Sequence, residues 1–331
     1  MEGIHLKRIN TAGILALLIA LTVLMGPVSA TTWNITSDMN NSVIQGYIDG
    51  ATAGDILDFV NASATYNGST GIALTVNKNN LTFLGNGATL VGGGSSIFTI
   101  TGTNGVTIKD FIININNNTA DGITGSNVYN CNITNNTITN GDDGINIFMH
   151  YGGLTITNNT ITDMNNGRDG ISLVNHNTTI DMDTYAPTLI EGNIIDDVQY
   201  GIFLGGNFKG TITGNNISAT VAGMNITGKR AAANGILNAN ITNNNITGGI
   251  AMESPHILFL NLSYNTIIGQ VAGTVYSISI SDAYGDVNGI IEQLFVTFNE
   301  FKVNATQDFI DDAVLYGDWS NNTINGQPYP P

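Results

Sequence analysis

Three carboxylates recur at one place in a repeated phrase. Asp121, Asp143 and Asp169 each stand directly before a Gly-Ile pair, with Asp142 beside the second and Arg168 beside the third. If the phrase folds into stacked coils, the three lie in one column, about 4.8 Å apart. Neighbouring carboxylates at that spacing repel by about 1 kcal/mol in water, and by more where they are partly buried. Such a column has three outcomes: one pKa rises, a cation settles on it, or the side chains splay into solvent. Calcium, which takes carboxylate and carbonyl oxygens, would suit Asp121, Asp143 and Asp169. Catalysis by Asp121, Asp142, Asp143, Asp169 and Arg168 is the other chemical reading. Solvated turn residues ahead of a glycine are the plain one. His150 and His176 stand in no metal-binding spacing with carboxylates or cysteine.

The elements that must position these residues follow from the repeat. The phrase CNITNNTITNGDDGINI, at Cys131–Ile147, returns as LTITNNTITDMNNGRDGISL at Leu154–Leu173 and as TLIEGNIIDDVQYGIFL at Thr188–Leu204. Looser copies follow at Gly210–Ile226, Ala239–Met252 and Leu260–Ile280. Each copy reads as an alternating strand, an Asn-containing corner, a second short strand, a loop, and then x-Gly-Ile-x-apolar. The pairs Gly122-Ile123, Gly144-Ile145, Gly170-Ile171 and Gly201-Ile202 fall about 22 to 31 residues apart. A unit of that length made only of strands and turns cannot bury an apolar face alone, so it must stack on its neighbours as a solenoid.

Composition agrees. Charged residues make up 10 % of the chain and hydrophobic residues 42 %, with 40 glycines and about one Asn in every seven residues. Helix formers are scarce while Ile, Thr and Val are abundant, which favours strands. In a stacked coil an Asn amide can bond to the Asn above and the Asn below, because it carries both a donor and an acceptor. Asn also tolerates the left-handed backbone of a sharp corner. Asn136, Asn159, Asn193, Asn215 and Asn244 fit that structural role. The net charge of −16 disfavours nucleic acid, which needs clustered Lys and Arg. It also disfavours polyanionic, pectin-like substrates unless cations bridge them.

The amino end reads as a targeting segment. Lys7 and Arg8 precede a short apolar run from Gly13 to Met25, and Val28-Ser29-Ala30 has a small-x-small cleavage pattern. Residues 1–30 are therefore expected to be a signal peptide, and residues 31–331 one β-helix domain, secreted or held at the cell surface, with no membrane span in the mature part. Export gives meaning to about 17 Asn-x-Ser/Thr sequons. The candidates are Asn34, Asn61, Asn67, Asn80, Asn132, Asn135, Asn158, Asn177, Asn216, Asn240, Asn261 and Asn321. Cys131 is the single cysteine, at a position where a small buried residue is expected. Ser42–Gly50 reads as a short amphipathic cap helix that turns Val43, Ile44, Tyr47 and Ile48 toward the first coil. An aromatic cluster at Phe298, Phe301, Phe309, Tyr316 and Trp319 is expected to close the other end, with a sugar-stacking platform as its rival reading.

These phrases resemble right-handed parallel β-helix repeats of the pectin-lyase-like type. The segments Ser42–Asp58, Ala73–Gly87 and Ser96–Asp110 resemble the opening of archaeal, methanogen-type adhesin-like surface proteins. The resemblance implies an all-β, single-stranded right-handed parallel β-helix of about 11 coils and three sheets, with a short N-terminal cap helix. Gly141-Asp142-Asp143-Gly144 also resembles the paired-Asp motif of polygalacturonase-type glycoside hydrolases, and Asn118-Thr119-Ala120-Asp121 loosely their Asn-Thr-Asp. Asp121 and Asp169, two coils apart, would then lie near the separation an inverting hydrolase needs. The Gly-His-Gly and Arg-Ile-Lys motifs of that family are missing here, and Arg168 is the only basic residue near the column in sequence. The resemblance thus implies an exported, adhesin-like protein contacting glycans or cell-surface components without catalysis. A polysaccharide hydrolase or lyase and a structural envelope component are the alternatives. No cofactor is implied beyond calcium, and the oligomeric state is open.

Overall fold

The computed structural model describes residues 29–164, 168–175, 186–227, 236–253, 256–269, 278–281, 294–302 and 320–328. Over these the chain is all β, apart from one helix at Asn41–Gly50. Most strands span three or four residues and pair in parallel with the strand one coil away. Each coil visits three faces in turn. The first face is an 11-stranded sheet running from Thr32–Ile35 to Leu294–Thr297, in line with the expected coil number. The second face stacks Thr65–Tyr66, Thr89–Val91, Ile112–Asn114, Thr137–Thr139 and their successors. The third stacks Leu74–Val76, Phe98–Thr101, Ile123–Ser126, Ile145–Phe148 and Asp169–Asn175. At Ile194–Gly206 and Asn216–Thr227 the strand continues around the corner, so the second and third faces merge there. Register shifts between Ile195 and Tyr200 mark the bend.

The core follows from strict alternation. On the first face Ile108, Ile133, Ile156, Ile190 and Ile212 stack in register. On the third face Ile123, Ile145, Ile171 and Ile202 do the same. All of them are buried. β-branched side chains suit this role because their stiff χ1 packs well on a pleated surface. Cys131 lies in the same core as a buried free thiol.

The first-to-second-face corner carries the Asn ladder. Asn136 donates its N–H to Asn159 Oδ1 at 3.0 Å, and its amide nitrogen to Ile108 O at 3.0 Å. Asn159 repeats this toward Asn193, Asn193 toward Asn215, and Asn215 toward Asn244. The ladder runs on through Asn265 and Asn299 to Asn322. One detail differs from expectation. The left-handed residue is the one before each ladder Asn, at Asn135, Asn158, Gly192, Gly214 and Asn243. The ladder residue must turn its amide inward, so its predecessor makes the corner.

A helix packs on the amino-terminal end, and a short hairpin edges the second face at the far end. The helix is capped by Asn40, whose side chain accepts the Val43 N–H, and it buries Ile44 and Ile48. Val43, expected to face the first coil, is instead exposed, and Tyr47 packs tilted on Trp33 at 5.3 Å. A helix of this length has one inward stripe, and Ile44 and Ile48 fill it. At the far end, Thr323–Ile324 folds back antiparallel on Gln327–Pro328 through Asn325-Gly326, both at positive φ. That is a two-residue hairpin turn, and Pro328 helps blunt the sheet edge. Phe301 is buried in the second-face column between Ile267 and Ile324, whereas Phe298 is exposed and stacks on Tyr264. Phe309, Tyr316 and Trp319 lie outside the described residues. Among the described residues, no helix is long and apolar enough to cross a membrane.

Candidate functional site

The aspartate column exists. Ile123, Ile145 and Ile171 are register partners, which sets Asp121, Asp143 and Asp169 at equivalent positions entering the third face. The glycine after each Asp is required by close approach. A Cβ on Gly144 would meet Ile161 Cγ2 at 2.5 Å and Gly170 O at 2.7 Å. Only glycine lets the corner settle onto the second-face isoleucines.

The carboxylates are tied from coil to coil. The Asp121 N–H donates to Ser96 Oγ at 3.1 Å. The Asp143 N–H donates to Asp121 Oδ1 at 3.3 Å, and the Asp169 N–H to Asp143 Oδ1 at 2.9 Å. Asn146 Nδ2 bridges the pair, donating to Asp143 Oδ2 at 2.8 Å and to Asp121 Oδ2 at 3.3 Å. Thr124 bonds Asp121, and Ser172 bonds Asp169. Asp142 faces outward and pairs with Arg168 Nε at 3.3 Å.

Burial governs the electrostatics. Asp143 is only 4 % exposed. Burial, reinforced by the charge on Asp169, pushes its carboxyl up to about 8. Asp169 is pushed up to about 6 by burial, and Asp121 is raised for the same reason. At neutral pH the centre of the column therefore carries a proton. Among the described residues, no group of three His, Cys, Asp or Glu side chains is arranged to hold a metal ion.

Asp121, Asp143 and Asp169 are thus brought together, with Asp142 and Arg168 on the outer flank. Thr124, Asn146 and Ser172, which complete the network, were missed in the sequence. Their signal was present, since each stands three residues after its Asp in Asp-Gly-Ile-x. His150 is fully buried, and neither ring nitrogen has a hydrogen-bond partner; burial lowers its pKa to about 4. His176 lies outside the described residues. Of the sequon residues, Asn34, Asn61, Asn67, Asn80, Asn135, Asn158, Asn216 and Asn321 are exposed, while Asn132, Asn240 and Asn261 are half-buried strand residues. Asn177 lies outside the described residues.

The right-handed β-helix region family matches residues 66–246. The chain belongs to that family. No curated protein matches it. Similar solved structures include the A-module of the Azotobacter vinelandii mannuronan C-5 epimerase AlgE4, at 15 % identity and TM-score 0.46, covering 88 % of this chain and 97 % of that one. The periplasmic alginate epimerase AlgG is similar at 11 % identity and TM-score 0.47, covering 82 % and 84 %. The tailspike of E. coli bacteriophage HK620, in complex with a pentasaccharide, is similar at 14 % identity and TM-score 0.48, covering 89 % and 61 %. None of these likenesses bears on activity.

Proposed function

We propose that this is an exported, adhesin-like β-helix protein that contacts neutral glycans or cell-surface components and performs no catalysis. The observation that carries the reading is the closed carboxylate ladder. Asp121 and Asp143 each accept the backbone N–H of the next coil, and both also accept from Asn146. A general acid or base must reach a substrate proton within hydrogen-bond distance, and Asp143 is committed to its own fold instead. Asp142, the outward member, is engaged with Arg168.

Glycan contact is supported by what the third face displays. Thr99, Thr124 and Asn146 form one outward column in register, and Phe148, two residues beyond Asn146 on the same strand, is exposed. Asn146 Nδ2 and the Thr124 hydroxyl already serve the carboxylates, so it is the side-chain oxygens of this column, as acceptors, that suit sugar hydroxyls, with the aromatic ring suiting sugar C–H faces. The acidic surface favours neutral over uronate polymers. The exposed sequons are consistent with a surface location, and the reading includes their glycosylation.

A glycan array probed with the secreted protein, run beside reducing-end and unsaturated-product assays on neutral and uronate polysaccharides, tests this. Binding without turnover is expected. Turnover that disappears in Asp143→Asn would overturn the reading and promote a hydrolase or lyase.

A further inference from the structure

Asp55 is 2 % exposed and sits at the entry to the first coil. Its Oδ1 accepts the Thr31 N–H at 2.7 Å. Its Oδ2 accepts Trp33 Nε1 at 3.1 Å, the Thr52 N–H at 2.9 Å and Thr52 Oγ1 at 3.2 Å. These donors, led by the backbone N–H of Thr52, hold the carboxyl down to about 2. Asp55 is therefore an anion held by four hydrogen bonds from neutral donors, and no cationic side chain pairs with it among the described residues. These four neutral donors meet the need of a carboxylate taken from water, and a cationic donor in place of one of them would add a counter-charge.

The nearest donor is the backbone nitrogen directly after the small-x-small stretch Val28-Ser29-Ala30. Ser29 and Ala30 are exposed. Thr31 is held on its other side too, since its carbonyl accepts the Ile56 N–H at 2.9 Å. The strand Thr32–Ile35 then pairs in register with Ile56–Phe59.

We propose that the chain is cut between Ala30 and Thr31, and that the new α-ammonium of Thr31 docks on the Asp55 carboxylate as its counter-ion. The proposal rests on the exported reading for the cut, while the docking is separate geometry. A leader peptidase adds water across the Ala30–Thr31 amide. The C–N bond breaks, the oxygen stays on Ala30 as a carboxylate, and the Thr31 nitrogen takes up protons as an ammonium. That nitrogen already lies at bonding distance, so no strand moves. Maturation exchanges a neutral donor for a charged one, and charge-assisted bonds are the stronger kind. Removing the leader thereby tightens the first coil, whose strand edge would otherwise fray.

The sign of the pH effect follows. An amine that gains an anionic partner has its folded pKa raised above the ordinary value of about 7.7. Its added stability is fully present below that value and is lost as pH rises through the folded pKa.

The test begins with the full-length chain made in an exporting host. Mass analysis should find Thr31 at the amino terminus, and a different first residue overturns the cut. A second version carries Gly-Ser inserted between Ala30 and Thr31, so that its Thr31 nitrogen stays an amide. At pH 6 the native form should melt several degrees above the extended one. The gap should shrink as pH rises through the raised pKa of the docked amine and vanish above it, and Asp55→Asn should abolish it. Equal melting of the native and extended forms across this range overturns the docking, wherever the cut falls. If the extended form does not fold, nitrogen NMR titration of the native amino terminus decides. A Thr31 α-amino pKa above about 8 is expected, and one at or below about 7.7 overturns the docking.

Discussion

Gln45 holds both polar groups of one edge residue, Thr75. Its Nε2 donates to Thr75 O at 3.0 Å and its Oε1 accepts the Thr75 N–H at 2.9 Å. Thr75 lies in Leu74–Val76, the first strand of the third face, so these two groups have no strand above them. A side-chain amide has the same donor and acceptor as a peptide unit, and here it stands in for the missing strand. Asn41 Oδ1 does the same for the Ala73 N–H at 2.8 Å.

Gln45→Ala should therefore open an edge. An uncovered strand edge recruits other chains. Light scattering should show concentration-dependent association of the variant where the wild type stays dispersed. A variant that scatters like the wild type at every concentration would mean the helix body alone guards the edge.

The Asn ladder should be most sensitive at its centre. Asn193 is buried, and its amide nitrogen bonds both Ile156 O and Asn215 Oδ1 at 2.9 Å. Asn193→Ala removes the amide from Ile156 O and leaves the Asn159 N–H without its acceptor, while Asn215 Oδ1 keeps the Asn193 backbone N–H. At about 1–3 kcal/mol for each of these two buried groups, denaturant unfolding should show a loss of about 2 kcal/mol or more. A loss under about 1 kcal/mol would mean that water replaces the amide.

Ile145 and Ile171 stack in one interior column and are wholly buried. Truncation of either to Ala should cost about 2–5 kcal/mol, as for other buried aliphatics. Unfolding midpoints measured in denaturant give the comparison directly.

Stability should fall as pH rises through the range that Asp143 titrates. Its folded pKa of about 8 lies well above an ordinary carboxyl. The folded state therefore binds more protons than the unfolded chain between about pH 4 and pH 8, and the protein weakens across that window. Asp143→Asn, neutral and of similar shape, should flatten the slope and melt higher than wild type at pH 8. An unchanged slope would show that Asp143 is ionised in the fold.

Calcium provides a companion measurement. A cation seated on Asp121, Asp143 and Asp169 would displace the proton and raise the melting temperature of the wild type but not of Asp143→Asn. The hydrogen-bonded ladder predicts equal shifts in the two proteins at millimolar calcium.

What the sequence determined by itself was whatever repeats. The recurring Asn-Thr-Ile and Gly-Ile phrases announce the coil, the isoleucine columns, the stacked Asn136–Asn244 amides and the Asp column, because a solenoid turns sequence period directly into spatial register. What occurs once was left to the tertiary structure. Nothing near Gln45 points to Thr75, nothing near Asp55 points to Thr31, and the burial that protonates Asp143 comes from packing of the coils above and below. The same holds for the corner at Ile194–Gly206, where one strand runs through two faces, and for Val43 turning to solvent. Each depends on the separation between coils and on which side of a corner a side chain falls. Those distances are set by the close contact of glycine with the neighbouring coil, and local pattern does not encode them.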